Sequence, residues 1–255
     1  MATGRTTPNW LRVYADGYDL SGYANQVGPL MQEFGFDTFR AFTDEVLNGL
    51  NGHADLGIGT LNGILDNSTS GLHEVANNTL AKRVCMVAVG IRAAPAQGDP
   101  AYCGEFEQGG YQAVPADEGL VAVSIPFRKA SGVGSHLAYD KPWGTLLHAK
   151  GAETAVNAAT GDDKGAATAR GGFLCYQLFS SNGTVTLKVQ DAATNADGSF
   201  ADLSGATSGS ITAAVTPKSG IVALATTATV RRYLRWQLVF GTATTATFAL
   251  AFVRG

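Results

Sequence analysis

Apolar and polar residues alternate in short runs along most of this chain, the period-two pattern of half-buried β-strands. The first run, WLRVYA at 10–15, is closed by Asp16-Gly17, a dipeptide suited to a tight turn. Residues 18–27 (YDLSGYANQV) space aromatics among polar residues and predict an extended segment, not a helix. From 39 to 50 the period changes. Phe39, Phe42, Val46, Leu47 and Leu50 have partial helical spacing, ended by Gly49 and Gly52. Ala54, Leu56 and Ile58 then alternate with Asp55 and Gly57 as a strand, followed by Leu61, Ile64, Leu65 and a turn at Asp66-Asn67. Residues 70–83 (SGLHEVANNTLAKR) predict the one helix. Ser70 is placed to cap it, and Glu74 lies near its first turn. Lys82 and Arg83 fall in the last turn, where cations suit the helix dipole. Leu72, Val75, Ala76, Thr79 and Leu80 make its apolar face, and VCMVAVGI at 84–91 reads as a buried strand.

Residues 93–119 are rich in Pro and Gly and predict turns. Strands follow at 120–127 and 143–148. The segment 149–172 holds only Val156 as a branched aliphatic and predicts a long loop or linker. Five strands are predicted beyond it, at 173–179, 185–190, 221–225, 230–239 and 245–253. The short link at Gly241 predicts that the last two form a hairpin. The fold class expected is mainly β: an antiparallel sandwich or barrel with one short helix at about 70–83 and long loops. Its organisation would be a flexible arm at 1–9, a β-rich part at 10–148, the loop or linker 149–172, and strands at 173–255. Those last strands complete the same sandwich or form a second β unit.

Composition supports this reading. The chain has 255 residues, enough for one large domain or two small ones. Only 15% of residues are charged, against about 25% in an average soluble protein. Gly, Ala and Thr number 96 together, which favours closely packed strands and turns over long charged helices. No run of eighteen apolar residues predicts a membrane helix, and the first residues lack the apolar core of a secretory signal. Three cysteines do not make a disulfide framework. The net charge of −3 argues against general nucleic-acid binding. Its distribution is uneven: residues 1–128 carry −7 and residues 129–255 carry +4. Chance segregation is one reading. The other is that opposite surfaces carry opposite signs, which favours head-to-tail self-association.

Catalytic patterns are weak. His53, His73, His136 and His148 have no zinc-ligand spacing, and Cys85, Cys103 and Cys175 form no CxxC. No metal site or cofactor is expected. Gly57-Ile58-Gly59 leads to GxGxxxG, not a dinucleotide fingerprint. SGVGS at 131–135 lacks the P-loop lysine, and no GxSxG is present. Asp44-Glu45, Glu105 with Glu107, Asp117-Glu118 and Asp162-Asp163 are the acid pairs a glycosidase would need, but they sit among loop residues where solvation explains them. The chain is therefore not expected to be an enzyme. In a strand, Arg231, Tyr233 and Arg235 share one face, while Arg232, Leu234 and Trp236 share the other. These arginines are either an exposed face stacked on Tyr233 or partners in an intersubunit salt bridge with the acidic first half.

The segment VYADGYDLSGYANQVGPL, then Phe36-Asp37-Thr38, then LNGLNGHADLGIGTLNGILDN resembles tail tube proteins of long-tailed, siphophage-like bacteriophages. The helix at 70–83 running into VCMVAVGI is similar too. So is the closing region, TVTLKVQDAATNADGSFADLSGA and VRRYLRWQLVFGTATTATFALAFVRG. The resemblance leaves out 93–119 and 149–172. It implies a structural virion subunit that closes into rings, with hexameric rings the expectation. Stacked rings would form a channel through which DNA passes without specific binding. Tape measure, tail terminator and distal tail proteins would be its further partners, with no membrane contact. Assembly in the host cytoplasm and residence in the virion tail follow. Asp37, Asp44, Glu45 and Asp55 are the expected lumen-facing acids, which would repel phosphates. The alternative is a virion decoration or adhesin-like sandwich that binds glycan or capsid, using aromatics such as Trp10, Tyr18, Tyr23, Tyr102, Tyr111 and Trp143.

Overall fold

The structure, a computed structural model, describes residues 7–39, 48–77, 82–91, 93–115, 119–129 and 141–255. Strands β1 (Leu11–Ala15) and β2 (Tyr18–Asp19) flank the Asp16-Gly17 turn. Both turn residues take positive φ, 52° and 84°, as a two-residue hairpin turn requires. β3 (Ala24–Val27), β4 (Leu30–Phe39), β5 (Asn48–Ile58) and β6 (Thr60–Ile64) follow. Then come α1 (Leu72–Ala76), β7 (Lys82–Val89), β8 (Pro100–Gln108), β9 (Gln112–Pro115) and β10 (Val121–Lys129). The second half supplies β11 (Trp143–Glu153), β12 (Asp162–Asp163), β13 (Gly172–Ser181) and β14 (Val185–Ala192). It ends with β15 (Ala201–Thr207), β16 (Lys218–Ala223), β17 (Tyr233–Phe240) and β18 (Ala246–Arg254).

Twelve strands form one antiparallel sheet whose main path is β16-β13-β18-β11-β8-β10-β6-β3, with β7, β1 and β2 branching from β8 and β9 from β10. A second sheet has the order β12-β17-β14-β15, and β4 with β5 makes a third. The fold is mainly β and sandwich-like, with sheets that do not close into a barrel.

Side-chain alternation explains the layering. In β18, Phe248, Leu250 and Phe252 enter one core, while Ala249, Ala251 and Val253 enter the opposite one. In β13, Leu174, Tyr176 and Leu178 join the first, and Phe173 and Cys175 the second. The second sheet closes the first core with Val185, Leu187, Val189, Leu234, Trp236 and Leu238. Tyr14, Met86, Ala88, Ala101 and Cys103 close the other. Beyond β7 and β8 lies a third core, where Cys85, Val87, Tyr102 and Phe106 meet Leu72 and Val75 of α1 and Ile125 and Phe127 of β10. Burying a Val, Leu or Phe is worth about 1.5–3 kcal/mol. The two outer cores therefore carry most of the apolar stabilisation. The middle one, lined largely by Ala and Cys, lets two strand layers lie close together.

Several elements differ from the sequence reading. The helix is only α1, and Ser70 does not cap it. Gly71 is the N-cap, without a side-chain hydrogen bond. Lys82 and Arg83 begin β7, because Arg83 is drawn into a buried polar cluster with Asp16 and Gln108. The partial helical spacing at 39–50 does not give a helix at its described ends: Phe39 closes β4, and 48–52 belong to β5. The turn-rich stretch 93–119 contains β8, a central strand, and the exposed β9. Residues 149–153 extend β11. From 154 to 171 the chain runs beside β17, with β12 paired to it and bridges Asn157–Gln237 and Thr168–Val230. β17 and β18 are not a hairpin: each lies in a different sheet, and the Gly241 link crosses between them. The β13–β14 link crosses beside it, and Asn182 joins the two. Its Nδ2 donates to Thr244 Oγ1 (2.7 Å), and its Oδ1 accepts from the Thr244 and Thr245 amides (2.9 and 3.1 Å).

Candidate functional site

Residues 24–39 and 48–64 pair with each other as one long ribbon with a break. β3 pairs with β6, and β4 pairs with β5. At the break Gly28 N–H donates to Thr60 O (2.6 Å) and Gly59 N–H donates to Pro29 O (2.9 Å). A Cβ on Gly28 would stand 2.3 Å from Thr60 N, and one on Gly59 would stand 2.7 Å from Pro29 Cδ. The two strands cross too closely there for side chains, so glycine is required. On one side of the crossing the ribbon belongs to the large sheet. On the other, among the described residues, β4 and β5 pair only with each other.

The root of this hairpin is fixed. Leu56 and Ile58 are buried in the third core, and the Tyr102 hydroxyl accepts from Gly57 N–H (3.1 Å) and donates to Met31 O (2.5 Å). Beyond Phe34 and Ala54 the ribbon continues as strand edges of five and six residues, 35–39 and 48–53, and an unpaired strand edge of this kind is a template for another strand. Of the expected lumen acids, Asp37 lies on β4 opposite Leu50, and Asp55 lies on β5 opposite Glu33. Asp44 and Glu45 lie outside the described residues. Glu33 escaped the sequence reading, although pairing the runs 30–34 and 54–58 in register would have placed it opposite Asp55. Like charges at opposed positions weaken an isolated strand pair.

The three arginines are held within their own chain. Arg235 is buried, with Nε donating to Gln190 Oε1 (2.9 Å), Nη1 to Ala158 O (3.0 Å) and to Asp197, and its guanidinium 4.2 Å from the Phe200 ring centroid. That removes Arg235 from the surface. Both β17 neighbours, Leu234 and Trp236, are buried as well, so the strand does not have the exposed face expected of it. Arg231 precedes β17, and its backbone amide donates to Asp191 Oδ2 (2.8 Å). Arg232 grips Asp163 through both carboxylate oxygens (2.7 and 2.6 Å) and lies over Tyr233. Arg231 and Arg232 keep about half of their side chains exposed.

Arg232's hydrogen bonds, helped by the Gly165 amide, hold the Asp163 carboxyl down at about 2. A lowered folded value stabilises above the ordinary carboxylate pKa, and the contribution is lost as pH falls through about 4 towards 2. Carboxyl NMR titration should therefore find Asp163 near 2, and Arg232→Gln should raise it towards, but not fully to, the ordinary carboxylate value, because the Gly165 amide still donates to it. A wild-type value near about 3.9 would refute the internal pair and leave Arg232 free for a neighbouring chain.

The remaining candidates scatter. Asp162 pairs with Lys164 and Asp163 with Arg232, while Glu105 and Glu107 lie along β8 opposite Val84 and Lys82. Asp117 and Glu118 lie outside the described residues. His73 Nδ1 is 2.7 Å from the Tyr111 hydroxyl, and His148 lies between Phe248 O (3.1 Å) and Glu153 (3.0 Å). Among the described residues no three His, Cys, Asp or Glu gather as a metal-ligand set. No helix among them is long and apolar enough to cross a membrane. The aromatics do not form one platform: Tyr102 is fully buried, whereas Trp143 is exposed.

No family model matches the chain, and no curated protein matches it. Among solved structures, three chains match. One is the Dit protein of SPP1, described as a paradigm of the hub adsorption apparatus in phages infecting Gram-positive hosts. It is 12% identical, with 96% of this chain and 99% of that chain covered, at a TM-score of 0.32.

Proposed function

We propose that this chain is a structural subunit of a phage tail that assembles with copies of itself into rings, the rings stacking as a tail tube. The observation that carries this reading is the β4–β5 hairpin, rooted in the core by Tyr102 and paired with no other strand among the described residues. A two-stranded ribbon is marginal alone. Adding the hairpin of a neighbour on each side would satisfy both edges, and ring closure would remove the last free edge. The sequence resemblance to tail tube proteins in residues 13–67 and 184–255 supports the same assignment. Glu33, Asp37 and Asp55 put acids on this ribbon, with Asp44 and Glu45 in the segment that joins its strands. With five acids against the single cation Arg40 in residues 30–58, a ring of such ribbons would be net negative, so DNA would pass without sticking. Hexameric rings are the proposed stoichiometry, with tape measure, terminator and distal tail proteins at the ends. The role is structural and not catalytic, and its place is the virion.

Negative-stain electron microscopy of the concentrated protein tests the proposal. Hollow cylinders or stacked rings are expected. Monomers or small closed oligomers at every salt concentration would reject the tube and favour a decoration or adhesin role.

A further inference from the structure

A second feature lies where β11 begins and β18 ends, next to the Tyr102 that roots the hairpin. A pocket of about 230 Å³ is lined there by Trp143, Gly144, Thr145, Lys164, Phe252 and Arg254. A Cβ on Gly144 would stand 2.5 Å from Phe252 O, so the strands meet too closely for a side chain, leaving bare backbone. The lining contains two cations and no carboxylate.

Arg254 is the unusual member. Its Nη1 donates to Lys164 O (3.3 Å), and its Nη2 donates to Ala166 O (2.7 Å) and Val230 O (3.1 Å). Its Nε is buried without a hydrogen-bond partner. Carbonyls satisfy the donors but supply no counter-charge. The Asp191 carboxylate acts on Arg254 through its field, but it is shared with the Arg231 guanidinium, whose Nε lies 3.9 Å from it. Burial pulls Arg254 below the ordinary guanidinium pKa, yet arginine keeps its charge in proteins. Lys164 beside it donates to Thr145 Oγ1 (2.6 Å) and pairs with Asp162, which balances one cation of the two. Lys164, Arg254 and Arg231 are thus set against Asp162 and Asp191, which leaves the surroundings of the pocket net positive, and a partly desolvated cation gains most from an anion. Trp143 adds an exposed indole, set edge-on to Tyr102 at 5.2 Å.

We propose that this pocket binds a single acidic sugar, its carboxylate towards Lys164 and Arg254 and its ring against Trp143. The volume lies below the roughly 300–1,000 Å³ of pockets for drug-sized ligands, which fits one ring and not a chain. Thr145 supplies a hydroxyl beside the cations for the sugar's own hydroxyls.

Sodium glucuronate, sodium acetate and glucose, at matched ionic strength, are the probes, with the Trp143 indole N–H in a ¹⁵N spectrum as the readout and Trp143→Phe for its assignment. Glucuronate should shift that signal saturably and raise Tm, while acetate and glucose bind at least tenfold more weakly. Lys164→Met should weaken glucuronate binding tenfold or more with the circular dichroism unchanged. Thr145→Val, which keeps the charges, is the second variant should Lys164→Met fail to fold, and it should weaken binding in the same direction. Equal binding of acetate and glucuronate would overturn the sugar and leave a bare anion site. Absence of a saturable response to glucuronate in the wild type would overturn the site itself.

Discussion

Cutting the β4–β5 hairpin back to its root is expected to leave a folded protein that no longer assembles. Phe34 and Ala54 are register partners, so joining them through Asn-Gly keeps a proper two-residue turn and removes only the outer ribbon. Leu56, Ile58 and the Tyr102 contacts to Met31 and Gly57 remain. The part of β4 removed, five of its ten residues, offers about two or three hydrogen bonds to a neighbour, each worth roughly 0.5–1.5 kcal/mol net. Their loss costs about 1–4.5 kcal/mol per junction, or roughly fivefold to two-thousandfold in association, compounded at every junction of a ring. Sedimentation should show monomer where the parent chain polymerises, with similar thermal unfolding. Tubes from the shortened chain would place the assembly surface elsewhere. Gly59→Val is the finer test: it keeps every hairpin residue but puts side-chain atoms where Pro29 Cδ would lie 2.7 Å from Cβ. Re-aiming the ribbon in this way should impair closure of the ring.

What could be read from the sequence depended on whether the deciding contact was local. β18 stood out because large and small residues alternate through 246–254, and both sets are buried. β8 was hidden because Pro100 and Gly104 look like turn residues. Pro100 is the first residue of its strand, a position that tolerates proline. Gly104 is required by the Phe106 ring, which would meet a Cβ at 2.5 Å. The Gly241 link has the length of a hairpin turn, but length cannot distinguish a hairpin from a crossing between sheets. Asn182, some sixty residues away in sequence, ties the crossing down. The arginines show the same limit: their acids, Asp163, Asp191 and Asp197, are distant along the chain. The hairpin strands were partly legible, whereas their separation from the large sheet was not. It depends on the close approach of Gly28 to Thr60 and of Gly59 to Pro29, some thirty residues apart in sequence, which no local pattern reveals.

Arg83 offers the second large effect, and it separates the two local readings of that residue. At the end of a helix, a cation contributes about 0.3–1 kcal/mol through the dipole. In the structure Arg83 lies on β7 with its side chain 8% exposed, donating from Nε to Gln108 Oε1 (2.6 Å) and from Nη1 to Asp16 Oδ2 (2.8 Å). Asp16 Oδ1 accepts the Val84 amide (3.0 Å), and Gln108 reaches Gly110 O (3.2 Å) as well as Ala76 O at the end of α1. Gln177 on β13 completes the cluster by accepting Gly17 N–H (2.6 Å) and donating to Val84 O (2.9 Å). One guanidinium therefore helps join the first turn, the helix and two strand layers. Arg83→Met fills similar space but leaves Asp16 and Gln108 without their donor. Removing one partner of such a buried pair costs about 3–5 kcal/mol, and the 29% exposure of the Asp16 side chain places this case near the lower end. Urea unfolding should show a loss of roughly 3 kcal/mol at neutral pH. Asp16→Asn suits the positive φ of that turn and isolates the charge, so the double variant should cost clearly less than the two single changes added together. A loss below about 1 kcal/mol for Arg83→Met would match a helix-end role and would sink the buried cluster as a determinant of this fold.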